Sequence, residues 1–145
     1  MLHFKIILIT SIVFLSSFTY SSNYSTLIKI KSNNEEIYFN VEIANTENQR
    51  IKGLMNRDDI ENNEGMLFIF PSEHRVNMWM KDTYIPLDII FISKNKYIVD
   101  IIKNTKPESK TILQSKFIAK YVLEIKAGLV ELLNINIGDM VSFEK

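Results

Sequence analysis

Two carboxylates stand where this sequence is otherwise apolar. Asp88 opens the run LDIIFI, in which every other residue is apolar, and Glu124 interrupts VLEIKAG in the same way. A carboxylate buried ionised and unpaired costs several kcal/mol, so each must be paired, capped or at a rim. Pro86 fixes the turn before Asp88, and on one reading Asp88 accepts backbone N–H groups from residues 83–85. On the other reading it stands at the mouth of a cleft beside Lys81 as a functional carboxylate. Asp88 and Glu124 would form an acid/base pair if they lay roughly 5–9.5 Å apart across that cleft. The catalytic candidates are therefore Asp88, Glu124 and Lys81.

Arg50 and Arg57 bracket the sequence Gly53-Leu54-Met55. Their planar guanidinium groups suit a carboxylate or a phosphate better than lysine does. They are expected either to bridge to Asp88 or Glu124 or to hold an anionic ligand. Trp79, the only tryptophan, is either packing or a stacking platform for a ring. Strand alternation sets Met78 and Met80 opposite Trp79 and Lys81, so the latter two share one amphipathic surface. The ligand-binding candidates are Arg50, Arg57, Trp79, Lys81 and Asp88.

Other chemistries lack their residues. The chain has no cysteine, which removes thiolate nucleophiles, thiolate metal ligands and lipid attachment through sulfur. Its histidines are His3 and His74, with no HxH or HExxH spacing. Residues 58–64 are acidic but lack the ligand spacing and glycine of a calcium loop. The four glycines are isolated, and no serine sits in GxSxG. No metal and no cofactor is expected. Lysine plus arginine equals aspartate plus glutamate, 17 against 17, so no strong field is present to hold nucleic acid. These features favour a non-catalytic binding or accessory module whose partner is a small ligand or another envelope protein. The alternative is a small hydrolase or transferase using Asp88 and Glu124 as acid and base.

Residues 1–21 read as a signal peptide. Lys5 gives the positive start, residues 6–18 an apolar centre of roughly 13 residues, and Thr19 and Ser21 the small positions before cleavage. A spanning helix needs about 20 apolar residues, so an uncleaved anchor is the second choice. The expected location is outside the cytoplasm, periplasmic or secreted. Contact with the membrane would come only through an uncleaved leader.

Residues 27–145 read as one domain. Residues 27–31 and 37–44 alternate as strands, the second with Ile37, Phe39, Val41 and Ile43 on one face. Residues 32–36 form a turn. Thr46 and Gln49 match a capping box ahead of a short helix over about 47–55, with Gly53 near its end. Residues 65–92 supply two or three buried strands broken by a polar turn. Strands follow at 97–102, 121–126 and 140–143, with a helical turn at 129–133 and a tight turn at Gly138-Asp139. The fold expected is mostly β: a barrel-like sheet of about seven to nine short strands with one or two short helices, curled to protect its edges.

Four segments together resemble the family called domain of unknown function 192, also UPF0127. They are T-x3-R-x2-GLM-x-R (residues 46–57), GMLFIF (65–70), WMKDTYIPLDIIFI (79–92), and AKYVLEIKAG (119–128) followed by IGD (137–139). The likeness runs from about Phe39 to Phe143. The usual WMKNT stands here as WMKDT, with Asp82 for asparagine. The resemblance implies a small, mainly β, barrel-like domain that is often exported by bacteria. It implies no biochemical activity.

Overall fold

The computed structural model describes residues 26–144. The expected leader, residues 1–21, lies outside them. Nine strands and two short helices follow in order: β1 (Thr26–Ser32), β2 (Glu35–Ala44), α1 (Glu47–Lys52), β3 (Glu64–His74), β4 (Asn77–Met78), β5 (Leu87–Ile92), β6 (Ile98–Ile102), β7 (Leu113–Gln114), β8 (Ala119–Lys126), α2 (Leu129–Leu132) and β9 (Met140–Ser142).

Strands β1 and β2 form a hairpin in which Ser32 pairs with Glu35. The two residues between them, Asn33 and Asn34, both have positive φ. A two-residue hairpin turn of this kind matches the strand twist, and asparagine tolerates the left-handed region. The capping box forms: Thr46 Oγ1 accepts from Gln49 N at 3.3 Å, and Gln49 Oε1 accepts from Thr46 N at 3.0 Å. The helix stops at Lys52, earlier than its apolar spacing suggests, because Gly53 turns away with φ of 46° and donates to Gln49 O. This helix carries the chain across to β3, which runs parallel to β2.

Seven strands make one sheet in the order β6-β5-β8-β3-β2-β1-β9. The sheet curls until its outer strands meet at one end. There Ile98 N donates to Asp139 O at 3.0 Å and Val141 N to Lys96 O at 2.8 Å. One core cluster draws on all seven strands, including Ile28, Phe39, Leu67, Ile90, Ile98, Leu123 and Val141, and on Leu129 and Val130 of α2. It fills the inside of the curl. A second cluster lies on the outer face of β3, β5 and β8, where Phe68, Ile89, Phe91 and Val122 are covered by Leu54, Val76, Met78 and Met80. The small β4-β7 ribbon and the segment through Trp79 thus form a second layer over half of the sheet. Residues 65–92 hold strands β3 to β5 as expected, though β3 runs on through the polar residues to His74.

Candidate functional site

Period two decides what each strand presents to each layer. On β8, Leu123 and Ile125 point into the curl while Val122 belongs to the outer layer. Glu124 therefore faces outward. The cross-strand register puts Glu42, Met66, Glu124 and Ile89 in one row across β2, β3, β8 and β5. Asp88 pairs with Ile125, one step along from that row, so its side chain enters the inner core.

Asp88 is fully buried, and its two oxygens accept from Asn104 N and Val130 N, each at 2.9 Å. This corrects the sequence reading twice. The donors are not residues 83–85, and the sheet itself separates Asp88 from Glu124, so the two form no acid/base pair. Asp88 is a structural acceptor that ties β5 to the start of α2 and to the loop after β6. It takes no part in a cleft with Lys81.

Arg57 bridges to neither carboxylate named above. Its guanidinium makes a bidentate pair with Glu42, at 2.6 and 2.7 Å. Lys81 is half-buried, its ammonium 3.8 Å from the Asp82 carboxylate. Its ammonium lies over the Trp79 ring, 5.5 Å from the centroid, so Lys81 and Trp79 do share a surface. Asp82 has φ of 52°, a left-handed position that asparagine and aspartate tolerate better than other side chains.

A cleft of about 430 Å³ opens between α1 and the outer layer. Glu47, Arg50 and Ile51 form one wall, Phe68 and Phe70 the floor, and Asn77, Met78, Trp79 and Ile112 the other wall. Ile51, Trp79 and Ile112 keep 52%, 38% and 54% of their surface exposed, an apolar lip around the opening. Arg50 is held from behind: Nη1 donates to Asn45 O at 2.7 Å and to Ile69 O at 2.9 Å. Its guanidinium stacks over Phe70 at 5.3 Å. Nε and Nη2 have no hydrogen-bond partner among the described residues.

Below the cleft is a narrow recess of about 20 Å³, which shares Arg50, Ile51, Phe68, Met78 and Trp79 with it. Its remaining walls include Leu54, Thr83 and Glu124. Glu124 is 4% exposed, and its carboxyl has no hydrogen-bond partner among the described residues. Burial alone pushes its pKa up to about 8, because the ionised form loses its hydration and gains no partner. Gly65 fixes the approach of β3 to β8 here, since a Cβ at this position would run into the backbone carbonyl of Glu124.

Of the residues expected from the sequence, the structure brings Arg50, Trp79 and Glu124 to one place. Lys81 touches its edge through Trp79, and Arg57 and Asp88 serve elsewhere. The reading missed Glu47, Ile51, Phe70, Asn77 and Ile112. Ile51 could be taken only for a core residue, by its helical spacing from Leu54 and Met55. Ile112 lies in a segment read as polar loop, and no local signal marks it. Among the described residues no three histidine, aspartate or glutamate side chains gather to hold a metal ion.

Comparison with known proteins returns one family. The model of DUF192, "Uncharacterized ACR, COG1430", matches residues 28–143. A UPF0127 protein of Thermococcus sibiricus is 33% identical over 106 residues, covering 72% of this chain and 66% of that protein. One from Pyrococcus furiosus is 28% identical over 113 residues, covering 77% and 92%. The chain thus spans just under two thirds of the first of these relatives. Among solved structures, a Sinorhizobium meliloti protein provisionally described as a transcription regulator superposes with a TM-score of 0.80. It is 35% identical, and the match covers 84% of this chain and 96% of that one. A Novosphingobium aromaticivorans protein of unknown function gives a TM-score of 0.78 at 34% identity, covering 80% and 83%.

Proposed function

The chain belongs to the DUF192 (UPF0127) family, and within it we propose that this member is a non-catalytic binding domain for a small amphipathic anion. The observation that carries this reading is Arg50. One nitrogen of its guanidinium is anchored to two carbonyls, while the other two are left unbonded beside an aromatic-lined cleft. A guanidinium so held is pre-organised for a carboxylate, since little freedom remains to be lost on binding. Phe70, Trp79, Ile51 and Ile112 supply an apolar bed for the body of the ligand.

The hydrolase or transferase reading needs Asp88 and Glu124 in one cleft, and the sheet keeps them on opposite faces. A nucleic-acid partner is not favoured, because the positive and negative charges balance at 17 each. The reading includes work outside the cytoplasm, on the strength of the leader-like residues 1–21. The amino terminus of the protein recovered from its source cells decides that point.

Trp79 is the only tryptophan and lines the cleft, so its fluorescence reports occupancy. Three probes with one body separate the contributions: 4-phenylbutyrate, 4-phenylbutanol and 4-phenylbutylamine. The acid is expected to shift Trp79 emission in a saturable way and to bind at least about tenfold more tightly than the alcohol. Arg50→Gln should erase that preference. Equal binding of acid and alcohol, or no response to either, would refute the anion-binding reading.

A further inference from the structure

Of the three buried acids among the described residues, Asp88, Asp100 and Glu124, Glu124 alone has neither an ion pair nor a hydrogen bond, and it sits at the bottom of the proposed site. We propose that Glu124 is the inner polar contact of that site, donating its carboxyl proton to one oxygen of the ligand's carboxylate, so that the ligand is bound by the protonated side chain only. This rests on the Arg50 reading and adds to it a second partner for the ligand's carboxylate.

Size is the first argument. The recess of about 20 Å³ is close to the smallest space that holds a water molecule, so it takes a single oxygen of the ligand and excludes a ring. The second oxygen then stays at the level of the cleft, which Arg50 lines as well. Charge is the second argument. An ammonium head would need Glu124 ionised, but the permanent cation of Arg50 shares the same walls and opposes it. A carboxylate is attracted by Arg50 and is repelled by Glu124 only when Glu124 is ionised. Donor supply is the third. The Thr83 hydroxyl is already engaged with Lys81 O at 3.1 Å, which leaves the acid proton as the donor that β8 brings to the recess.

Several other ionisable groups surround Glu124. Arg50 and Lys52 of α1 line the recess, and Glu47 of α1 lines the outer cleft. Glu42 of β2, paired with Arg57, lies in the same row two strands away. Lys81 rests over Trp79, and Asp82 is beside it.

The probe is 4-phenylbutyrate, followed by Trp79 emission and by calorimetry. With Glu124 titrating at about 8, the affinity of the probe for the native protein should fall about fifteenfold between pH 8 and 9.5 and change little below pH 7. Glu124→Gln keeps a donor that does not titrate, so its affinity should stay within about twofold over the same range. Calorimetry of the native protein near pH 9 in two buffers of different ionisation enthalpy should show uptake of about one proton per probe bound. That measurement needs no variant and stands even if Glu124→Gln folds poorly. A flat affinity profile without proton uptake would overturn the role of Glu124 and leave the Arg50 reading intact. So would a profile that falls equally in Glu124→Gln, or affinity that rises with pH. Failure of 4-phenylbutyrate to bind at any pH would overturn both.

Discussion

A neutral Glu124 gives the stability of the fold a pH dependence of defined sign. Burial raises its pKa from the ordinary 4.5 to about 8 in the folded chain. Between those values the folded state holds a proton that the unfolded state has released, so stability falls as pH rises. The contribution is fully present below about pH 4.5 and is lost on passing through about pH 8. The slope is on the order of 1 kcal/mol per pH unit. Glu124→Gln removes the titration. Its melting temperature, relative to the native protein, should climb between pH 5 and 8 and then level off. Parallel melting profiles for the two proteins would show that Glu124 ionises in place. Sequence singled out Glu124 and Asp88 by one and the same signal, an acid within an apolar strand. What it could not give was the register between β5 and β8. Asp88 stands opposite Ile125 and not opposite Glu124, and a single step along a strand reverses the face.

Helix entries α1 and α2 are both capped by an oxygen, in opposite surroundings. Thr46 caps α1 in the open, and its pattern with Gln49 was legible because the partners are three residues apart. Asp88 holds the amide of Val130 inside the core from 42 residues away, which no local pattern can reveal. The two should differ in cost. Thr46→Ala should lower stability by roughly 0.5–2 kcal/mol. Asp88→Leu strands the buried amide of Val130 at about 1–3 kcal/mol and also takes away the acceptor of Asn104 N, so it should cost more than the Thr46 change. Asp88→Asn, which retains an acceptor oxygen, should fall between Asp88→Leu and the native protein. Denaturant midpoints at neutral pH rank the three variants, and a Leu variant as stable as native would remove Asp88 from its structural role. The β4-β7 ribbon was not legible for a different reason. Each strand has two residues, too few to show a period, and Asn77 and Met78 of β4 share a wall of the cleft with Ile112, just ahead of β7, where the chain returns at Ser115 to bond Val76.

A curled sheet of short strands was legible from alternation and turn residues, while the order of the strands was not. Strand β8 lies between β5 and β3, a long-range pairing set by burial of both of its faces. That order bears on how the domain can be attached to anything. Among the described residues the pairings of the sheet fall within residues 26–142, and β1 starts at Thr26. If the leader is cut after Ser21, residues 22–25 remain ahead of β1. If it is retained, those four residues span at most about 14 Å, and the end of β1 would lie close to the membrane surface. No helix among the described residues is long and apolar enough to cross a membrane. The amino terminus found by mass spectrometry on protein from its source cells is expected near Ser22, in the soluble extracytoplasmic fraction. A version produced as residues 22–145 should melt at the same temperature as that material. Recovery of intact Met1 in the membrane fraction would mean that the segment is an anchor and that the cleft between α1 and Trp79 works within reach of the bilayer.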